Sequence, residues 1–459
     1  MDARVKDALA QLLGDRLLTD PADCWPYGYD NSRRHRLPDA VAFPETHEEV
    51  LALVRLCNRH DVPLVPRGRG TGTTGAAVPV HGGLVVSTER MTRILRFAPG
   101  DRLMVVEPGV TNQAVQDAAA NAGFFWPPDP TSAAFCTIGG NLAYNSAGPR
   151  AVKYGTPREN VLGLRAVTGG GEEIRTGVGT SKGVVGYDLT RLLIGSEGTL
   201  AIITEATLKL TPLPAGRRTL QAVYDSIHAA ATAVSAIMAQ PETPCALEFM
   251  DASAIEMIRD WSDAKLPEKA GALLMIEVDG AESALDAAVE AVRNAATVDG
   301  LLAFAAARDA AETAALWATR KALSPALRKV APRKINEDVV VPVSRIPELI
   351  TGLEALSAQS GVKIVNFGHA GNGNIHVNLL VDPDDPRQMA NAAPCLSQVF
   401  DLVLSLGGTL SGEHGVGLEK RDFVARELDA ASLDLMRGIK RLFDPRNILN
   451  RDKALPLAE

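Results

Sequence analysis

The sequence predicts an α+β protein of two domains, on three observations. Its 459 residues are more than one hydrophobic core organises, because cores stop growing at ~250–300 residues. Along the first half, apolar residues at helical spacing alternate with short apolar strands. Near residues 211–218 the string TPLPAGRR concentrates prolines, glycine and arginines, and beyond it the composition becomes alanine-rich and helical.

The elements follow in order. HEEVLALVRLCN (47–58) carries apolar residues at helical spacing, and DVPLVPRG then gives a strand that ends in a glycine-rich turn. The strands GGLVVST and LMVVEPG come next, followed by a helix over about 111–122 and a long Gly/Asn/Ser loop. VLGLRAVT, EEIRTG and LAIITEATLKL read as paired strands. In the second domain, helices over 226–239, 281–295 and 309–329 alternate with the strands ALLMIEVDG, KINEDVVVP and IHVNLLV. No repeat of solenoid type interrupts them.

Composition excludes several roles. Hydrophobic residues at 46% and charged residues at 22% suit a globular protein, not a disordered or all-membrane one. A net charge of -8 argues against binding to a nucleic-acid backbone. The charged N-terminus MDARVKDALAQLLGD lacks the features of a signal or transit peptide and is expected to be that of the mature protein. The uncharged run 130–149 is long enough to span a bilayer but is rich in Gly, Ser, Asn and Pro, so no transmembrane segment is expected. Cys24, Cys57, Cys136, Cys245 and Cys395 form no CxxC pair. Iron–sulfur clusters and disulfides are therefore not expected, and a reducing cytoplasm is. The basic run RRHR at 33–36 suits either a solvated loop or a dock for an acceptor or a membrane, with the loop preferred.

Forty glycines exceed the usual ~7%, and they cluster. PRGRGTGTTG follows a strand and can point backbone N–H groups at a phosphate. It is neither GxGxxG opening a helix nor a Walker loop. CTIGGNLAYNSAGPRAVKYGTPRENVLGL and LLIGSEGTLAIITEATLKL are the other glycine-rich stretches of the first half. Further on, NFGHAGNGNIHVNLLV sets His369 and His376 around a GNG turn. On one uninterrupted strand that odd spacing would oppose the imidazoles, and the turn removes the objection. His376 and Asn378 share a strand face. SGEHGVGLEKRD sets Glu413 and His414 between glycines. Two histidines and a carboxylate form a reasonable divalent-metal set. In ALWATRKALSPAL, Arg320 and Ser324 share a helix face at i, i+4. In KINEDVVVP, Lys334, Asn336 and Asp338 share a strand face.

Over roughly 38–212, the three glycine strings resemble the FAD-binding domain of the vanillyl-alcohol oxidase type, which consists of two subdomains. The second half resembles the cap domain of the FAD-linked D-2-hydroxy acid dehydrogenases: D-lactate dehydrogenase, D-2-hydroxyglutarate dehydrogenase and the flavin subunit of glycolate oxidase. The resemblance implies an FAD domain over 1–214, an α+β substrate domain with an antiparallel sheet over 215–410, and a segment 411–459 that completes the active site and returns to the FAD domain. It assigns Arg67, Gly68, Gly70, Thr71 and Gly72 to the FAD pyrophosphate. Gly139, Gly140, Asn141, Asn145, Ser146, Gly148 and Tyr154 are assigned to the ribityl chain and isoalloxazine, and Gly195, Gly198 and Ile203 to the adenine side. Thr71 stands where some relatives carry a covalently linked histidine, so the FAD is expected to be dissociable, with Cys136 as the reserve attachment point.

The same resemblance makes His369, His376 and Glu413 ligands of a divalent metal, with zinc the first expectation and manganese or iron the alternatives. His414 becomes the base, Arg320 and Ser324 bind the substrate carboxylate, and Lys334 and Asn378 are further substrate contacts. The C-terminal NRDK departs from the family's NPGK at Arg451 and Asp452. The implied activity is oxidation of a D-2-hydroxy carboxylate to the 2-oxo acid, passing electrons to a quinone, a cytochrome, an electron-transfer flavoprotein or an iron–sulfur partner. No nucleic-acid partner is expected. The homodimer is left open, as is a peripheral membrane location through the acceptor. A glycolate oxidase-type flavin subunit is the nearest alternative. A metal-dependent hydrolase is an alternative of another class, but it leaves the glycine loops unexplained and no HExxH is present. A non-catalytic flavin scaffold is the third.

Overall fold

A computed structural model describes residues 1–259, 266–330 and 333–457. It divides into two compact units: Met1–Ala147, Gly155–Leu213 and Glu413–Glu459 in the first, Gly148–Tyr154 and Pro214–Gly412 in the second. The chain thus leaves the first unit at the proline-rich string and re-enters it after Gly412.

The first unit holds two main sheets. In one, Ala40–Ala42, Leu84–Ser87 and Leu64–Arg67 run parallel, with Leu17–Leu18 antiparallel at the edge. The helix His47–His60 crosses over between parallel strands; Thr46 caps it and it buries Val50, Leu53, Val54 and Cys57. The other sheet is antiparallel, in the order Ile94–Ala98, Leu103–Val106, Ala201–Lys209, Val161–Thr168, Glu173–Gly177. A buried cluster around Trp126, Ile138, Leu142 and Leu208 packs with it. The stretch expected to be all loop contains a helix, Ile138–Tyr144, which starts because Thr137 Oγ1 accepts the N–H of Gly140 and stops because Asn145 turns left-handed at φ 54°. Capping there outweighs the low helix propensity of two adjacent glycines.

The second unit is built on a seven-stranded antiparallel sheet. Its strands, labelled within this unit, are β1 (Gly216–Tyr224), β2 (Ala246–Asp251), β3 (Ala272–Gly280), β4 (Leu301–Ala306), β5 (Arg333–Val340), β6 (Lys363–His369) and β7 (Asn374–Val381), in the order β4-β1-β3-β2-β6-β7-β5. The helices are α1 (Ile227–Ala239), α2 (Ala252–Arg259), α3 (Leu285–Ala296), α4 (Ala310–Val330), α5 (Ile346–Ser360) and α6 (Pro386–Ser405). Neighbouring contacts run α3–α1–α5–α6, which makes one helical layer. α2 and α4 pack together over the opposite face, where Met250, Met275, Leu323, Leu327 and Phe367 form a core cluster. The expected helices 226–239 and 309–329 match α1 and α4 to within a residue or so, and α3 begins after a 3-10 turn at Glu282–Ala284. No helix among the described residues is long and apolar enough to cross a membrane, and all five cysteines are buried and unpaired.

Candidate active site

In the first unit, the two glycine loops meet. A Cβ on Gly68 would strike Thr137 Oγ1, and one on Gly72 would lie 2.6 Å from the Tyr144 hydroxyl, so the first loop needs glycine where the second approaches it. Arg67 is buried; its Nη1 donates to the Tyr29 carbonyl at 2.7 Å, and its guanidinium fills the space that a Gly70 side chain would take. Between residues 68 and 75, no backbone N–H donates to an acceptor among the described residues. A run of half-buried donors lacking protein acceptors fits an anionic diphosphate, because leaving buried N–H groups unsatisfied costs about 1–3 kcal/mol each. Asn141 is buried and donates to Ser146 Oγ at 3.0 Å, while Asn145 Oδ1 accepts the N–H of Arg158 at 3.1 Å. Gly195 and Gly198 both take positive φ, at 86° and 66°.

Three expected cofactor residues also have protein neighbours. Ile203 lies in the buried core cluster of its sheet. Gly148 and Tyr154 belong to the short segment assigned to the second unit, where the Tyr154 hydroxyl donates to Asp279 Oδ2 at 2.8 Å and Lys153 pairs with Asp279 Oδ1 at 2.6 Å. Cys136 is buried with Sγ 3.5 Å from Asn141 Oδ1, and burial pushes its thiol up, which disfavours the thiolate that covalent attachment would need.

His414 is held on the glycine loops of the first unit. Its carbonyl accepts from Thr74 Oγ1 at 3.2 Å, and Leu418 N–H donates to the Thr74 carbonyl at 2.7 Å. Glu197, from the GSEG string, is buried and accepts the N–H groups of Val416 and Gly417 at 2.7 and 2.8 Å. Burial pushes the Glu197 carboxyl up against the opposing effect of those N–H donors. Behind it, the departure at Arg451 and Asp452 is accommodated: Asp452 itself turns left-handed at φ 61°, and Lys453 Nζ donates to Ala76 O and Asn450 Oδ1 at 2.7 and 2.9 Å.

In the second unit, the histidine spacing resolves as a hairpin. β6 ends at His369 and β7 begins at Asn374, pairing His369 with Asn374 and Phe367 with His376. Directly paired residues share a sheet face, so His369 and His376 do as well, with ring centroids 5.3 Å apart. The turn works because Gly373 adopts φ 72° with the Val341 carbonyl where a Cβ would go. Residues 409–412 then run along the edge strand β5. Thr409 and Val340 exchange backbone hydrogen bonds, and Asp338 accepts from Ser411 Oγ at 3.1 Å and from the Gly412 N–H at 2.9 Å. This fixes the turn from which Glu413 projects, one peptide bond further on. One ligand atom each from His369, His376 and Glu413 lie within 4.8 Å of one another. That donor set and spacing fit a divalent metal.

The same sheet face carries the anion group. Arg320 on α4 donates from Nε to Glu248 Oε2 at 2.8 Å, and its guanidinium lies 4.8 Å from the centre of the Phe367 ring. The other oxygen of Glu248 meets His369 Nδ1 at 2.5 Å. Burial pushes the Glu248 carboxyl up, but His369 and Arg320 outweigh it and hold the group below the usual carboxylate range. Asn378 Nδ2 donates to the carbonyls of Val365 and His376 at 3.1 and 3.0 Å. Lys334 and Asn336 share this face through the β5–β7 register. The side chain of Ser324 lies outside the described residues. Sequence reasoning missed Glu248 and Glu197, and it placed Asp338 on a strand face without a role. Each is a buried acid in a strand or turn, a rare placement for a charge, and that is the signal that could have found them.

Two family models match the chain: "FAD binding domain" over residues 38–177 and "FAD linked oxidases, C-terminal domain" over 213–454. The glycolate oxidase subunit GlcD of Bacillus subtilis (strain 168) is 38% identical, covering 98% of this chain and 96% of its own. A D-lactate dehydrogenase of Anaerostipes hadrus is 34% identical over 91% and 89%. A D-2-hydroxyglutarate dehydrogenase of Xanthomonas citri pv. viticola is 36% identical over 95% and 94%. The solved structure of p-cresol methylhydroxylase with substrate bound superimposes with a TM-score of 0.81 at 18% identity, covering 99% of this chain and 96% of that one, which shows the fold alone.

Proposed function

The chain belongs to the FAD-linked oxidase family, as an FAD-dependent oxidoreductase of the D-lactate, D-2-hydroxyglutarate and glycolate oxidase group, and on that premise we propose that it oxidises a D-2-hydroxy carboxylate to the 2-oxo acid with help from a divalent metal. The observation that carries this reading is the pairing, on one sheet face, of an arginine suited to a carboxylate with the two histidines of a two-histidine, one-glutamate donor set.

Arg320 receives the substrate carboxylate. Its Nε is occupied by Glu248, which leaves the two η-nitrogens as a fork for a planar anion. His369, His376 and Glu413 would hold the metal, with zinc the leading candidate. When bound, that ion supplies a Lewis acid that lowers the pKa of the substrate hydroxyl. His414 accepts the hydroxyl proton on an imidazole nitrogen. FAD, when bound without a covalent link on the loops at 67–75 and 138–146, supplies the hydride acceptor. Asn378 and Lys334 complete the polar lining, and Lys334 is the cation for a second carboxylate if the substrate carries one. GlcD is named as a subunit in its organism, which supports a separate redox protein as the electron acceptor.

The test is a purified flavoprotein. Acid precipitation is expected to release all of its yellow colour, and anaerobic addition of D-lactate, D-2-hydroxyglutarate or glycolate should bleach it with at least one of the three. Colour retained in the pellet contradicts dissociable FAD, and no bleaching with any 2-hydroxy acid contradicts the activity.

A further inference from the structure

We propose that Glu248 is a positioning residue that ties substrate-anion recognition to metal binding, by holding Arg320 and His369 with the two oxygens of one carboxylate. The inference deepens the reading above and rests on it. Glu248 sits in the middle of β2, is 1% exposed, and is the register partner of His369 on β6. Arg320 reaches it from α4, 72 positions along the chain, and His369 from 121 positions away.

The chemistry is asymmetric. An ionised carboxylate only accepts hydrogen bonds, so the Nδ1 of His369 that faces it carries the proton. Nε2 then keeps its lone pair, and that is the tautomer able to ligate through Nε2. Arg320 cannot give up its proton and needs an acceptor at Nε in every state. Glu248 satisfies both donors at once. The guanidinium plane and the imidazole tautomer therefore depend on the same side chain.

Glutamine at this position has one acceptor and one donor. Its amide oxygen goes to Arg320, which has no alternative, and its NH₂ then faces His369 Nδ1. His369 can accept that bond only by moving its proton to Nε2, which removes the ligating lone pair. Glu248→Gln is thus expected to weaken the metal site through a tautomer change, and removing the arginine should reverse the effect: without Arg320, the amide oxygen is free to accept Nδ1–H.

The experiment measures Zn²⁺ affinity of FAD-loaded protein by competition with a chromophoric chelator, for wild type, E248Q, R320M and the double variant R320M/E248Q. The expected result is a loss of roughly 10–100-fold in E248Q, R320M within threefold of wild type, and recovery of the double variant to within threefold of R320M, with FAD content unchanged throughout. A general packing defect would not be rescued by deleting the arginine. Wild-type affinity in E248Q, or a double variant no better than E248Q, overturns the proposal. If E248Q fails to retain FAD, the comparison moves to the R320M background: R320M/E248Q should keep Zn²⁺ while R320M/E248L, which has no acceptor, loses it 10–100-fold, and equal affinities overturn the proposal. Wild-type protein that binds no Zn²⁺ at all overturns the metal reading itself. A wild type that binds Zn²⁺ beside an unaffected E248Q overturns the Glu248 tie alone.

Discussion

At the scale of single residues, the site rests on buried charges whose partners are far away in sequence. Lys453 shows the cost. Burial pushes its ammonium down to about 7 against the favourable pull of Asp30 and Glu197, whereas an unfolded lysine holds its proton to about 10.4. Between those values the unfolded chain binds more protons than the folded one, so stability rises with pH through this window. Below about 7 both states are protonated and the full penalty is present. In FAD-free protein, Lys453→Met should therefore flatten the rise in urea midpoint between pH 7 and pH 9. A wild-type midpoint that falls over that interval, with the variant parallel to it, contradicts the assignment. Residue-level legibility was uneven for the same physical reason. His369, His376 and Glu413 stood out because glycines flank them. Glu248 did not, because ALEFMD reads as an ordinary strand and nothing local announces partners on α4 and β6.

At the scale of elements, the β6–β7 hairpin and the Ile138–Tyr144 helix set the geometry. The hairpin holds both histidines on one face only because Gly373 is left-handed beneath the Val341 carbonyl. Gly373→Ala adds backbone strain of ~1–2 kcal/mol and a clash with that oxygen, so a loss of at least about 2 kcal/mol is expected, read as a lower urea midpoint together with weaker Zn²⁺ binding. An unchanged midpoint would mean that the turn is not as described. Thr137→Ala removes the cap of the helix that carries Asn141, which should cost about 1 kcal/mol, and it removes the hydroxyl that packs on Gly68. FAD affinity should fall with stability, measured by fluorescence titration of the apoprotein; loss of stability with FAD affinity intact would separate the helix from the cofactor loop. The helices of the second unit were legible because their apolar period is long and regular. The short helix inside the glycine loop was not, since two glycines mask it and only the Thr137 cap reveals it.

At the scale of the whole molecule, two units share one chain through four crossings. The crossing at the proline-rich string was visible in composition. The excursion at Gly148–Tyr154 was not, because what holds it is Asp279, buried on β3 and 125 positions from Tyr154. Stability of the first unit should follow its cofactor by mass action. FAD at one hundred times its dissociation constant adds about 2.7 kcal/mol, and a melting temperature independent of added FAD would contradict a dissociable cofactor.

The most direct test of the central claim is the rate of anaerobic flavin reduction in stopped flow, comparing the D and L enantiomers of lactate and 2-hydroxyglutarate with untreated, chelator-treated and His414→Asn protein. The prediction is rapid bleaching by one D enantiomer, at least 100-fold slower bleaching by its mirror image, and a loss of about 10²–10⁴-fold in the His414 variant, in line with general-base catalysis, with FAD still bound. Removing the metal should slow the same step and re-adding Zn²⁺ or Mn²⁺ should restore it. Equal rates for both enantiomers, or a His414 variant that bleaches as fast as wild type, would contradict the account.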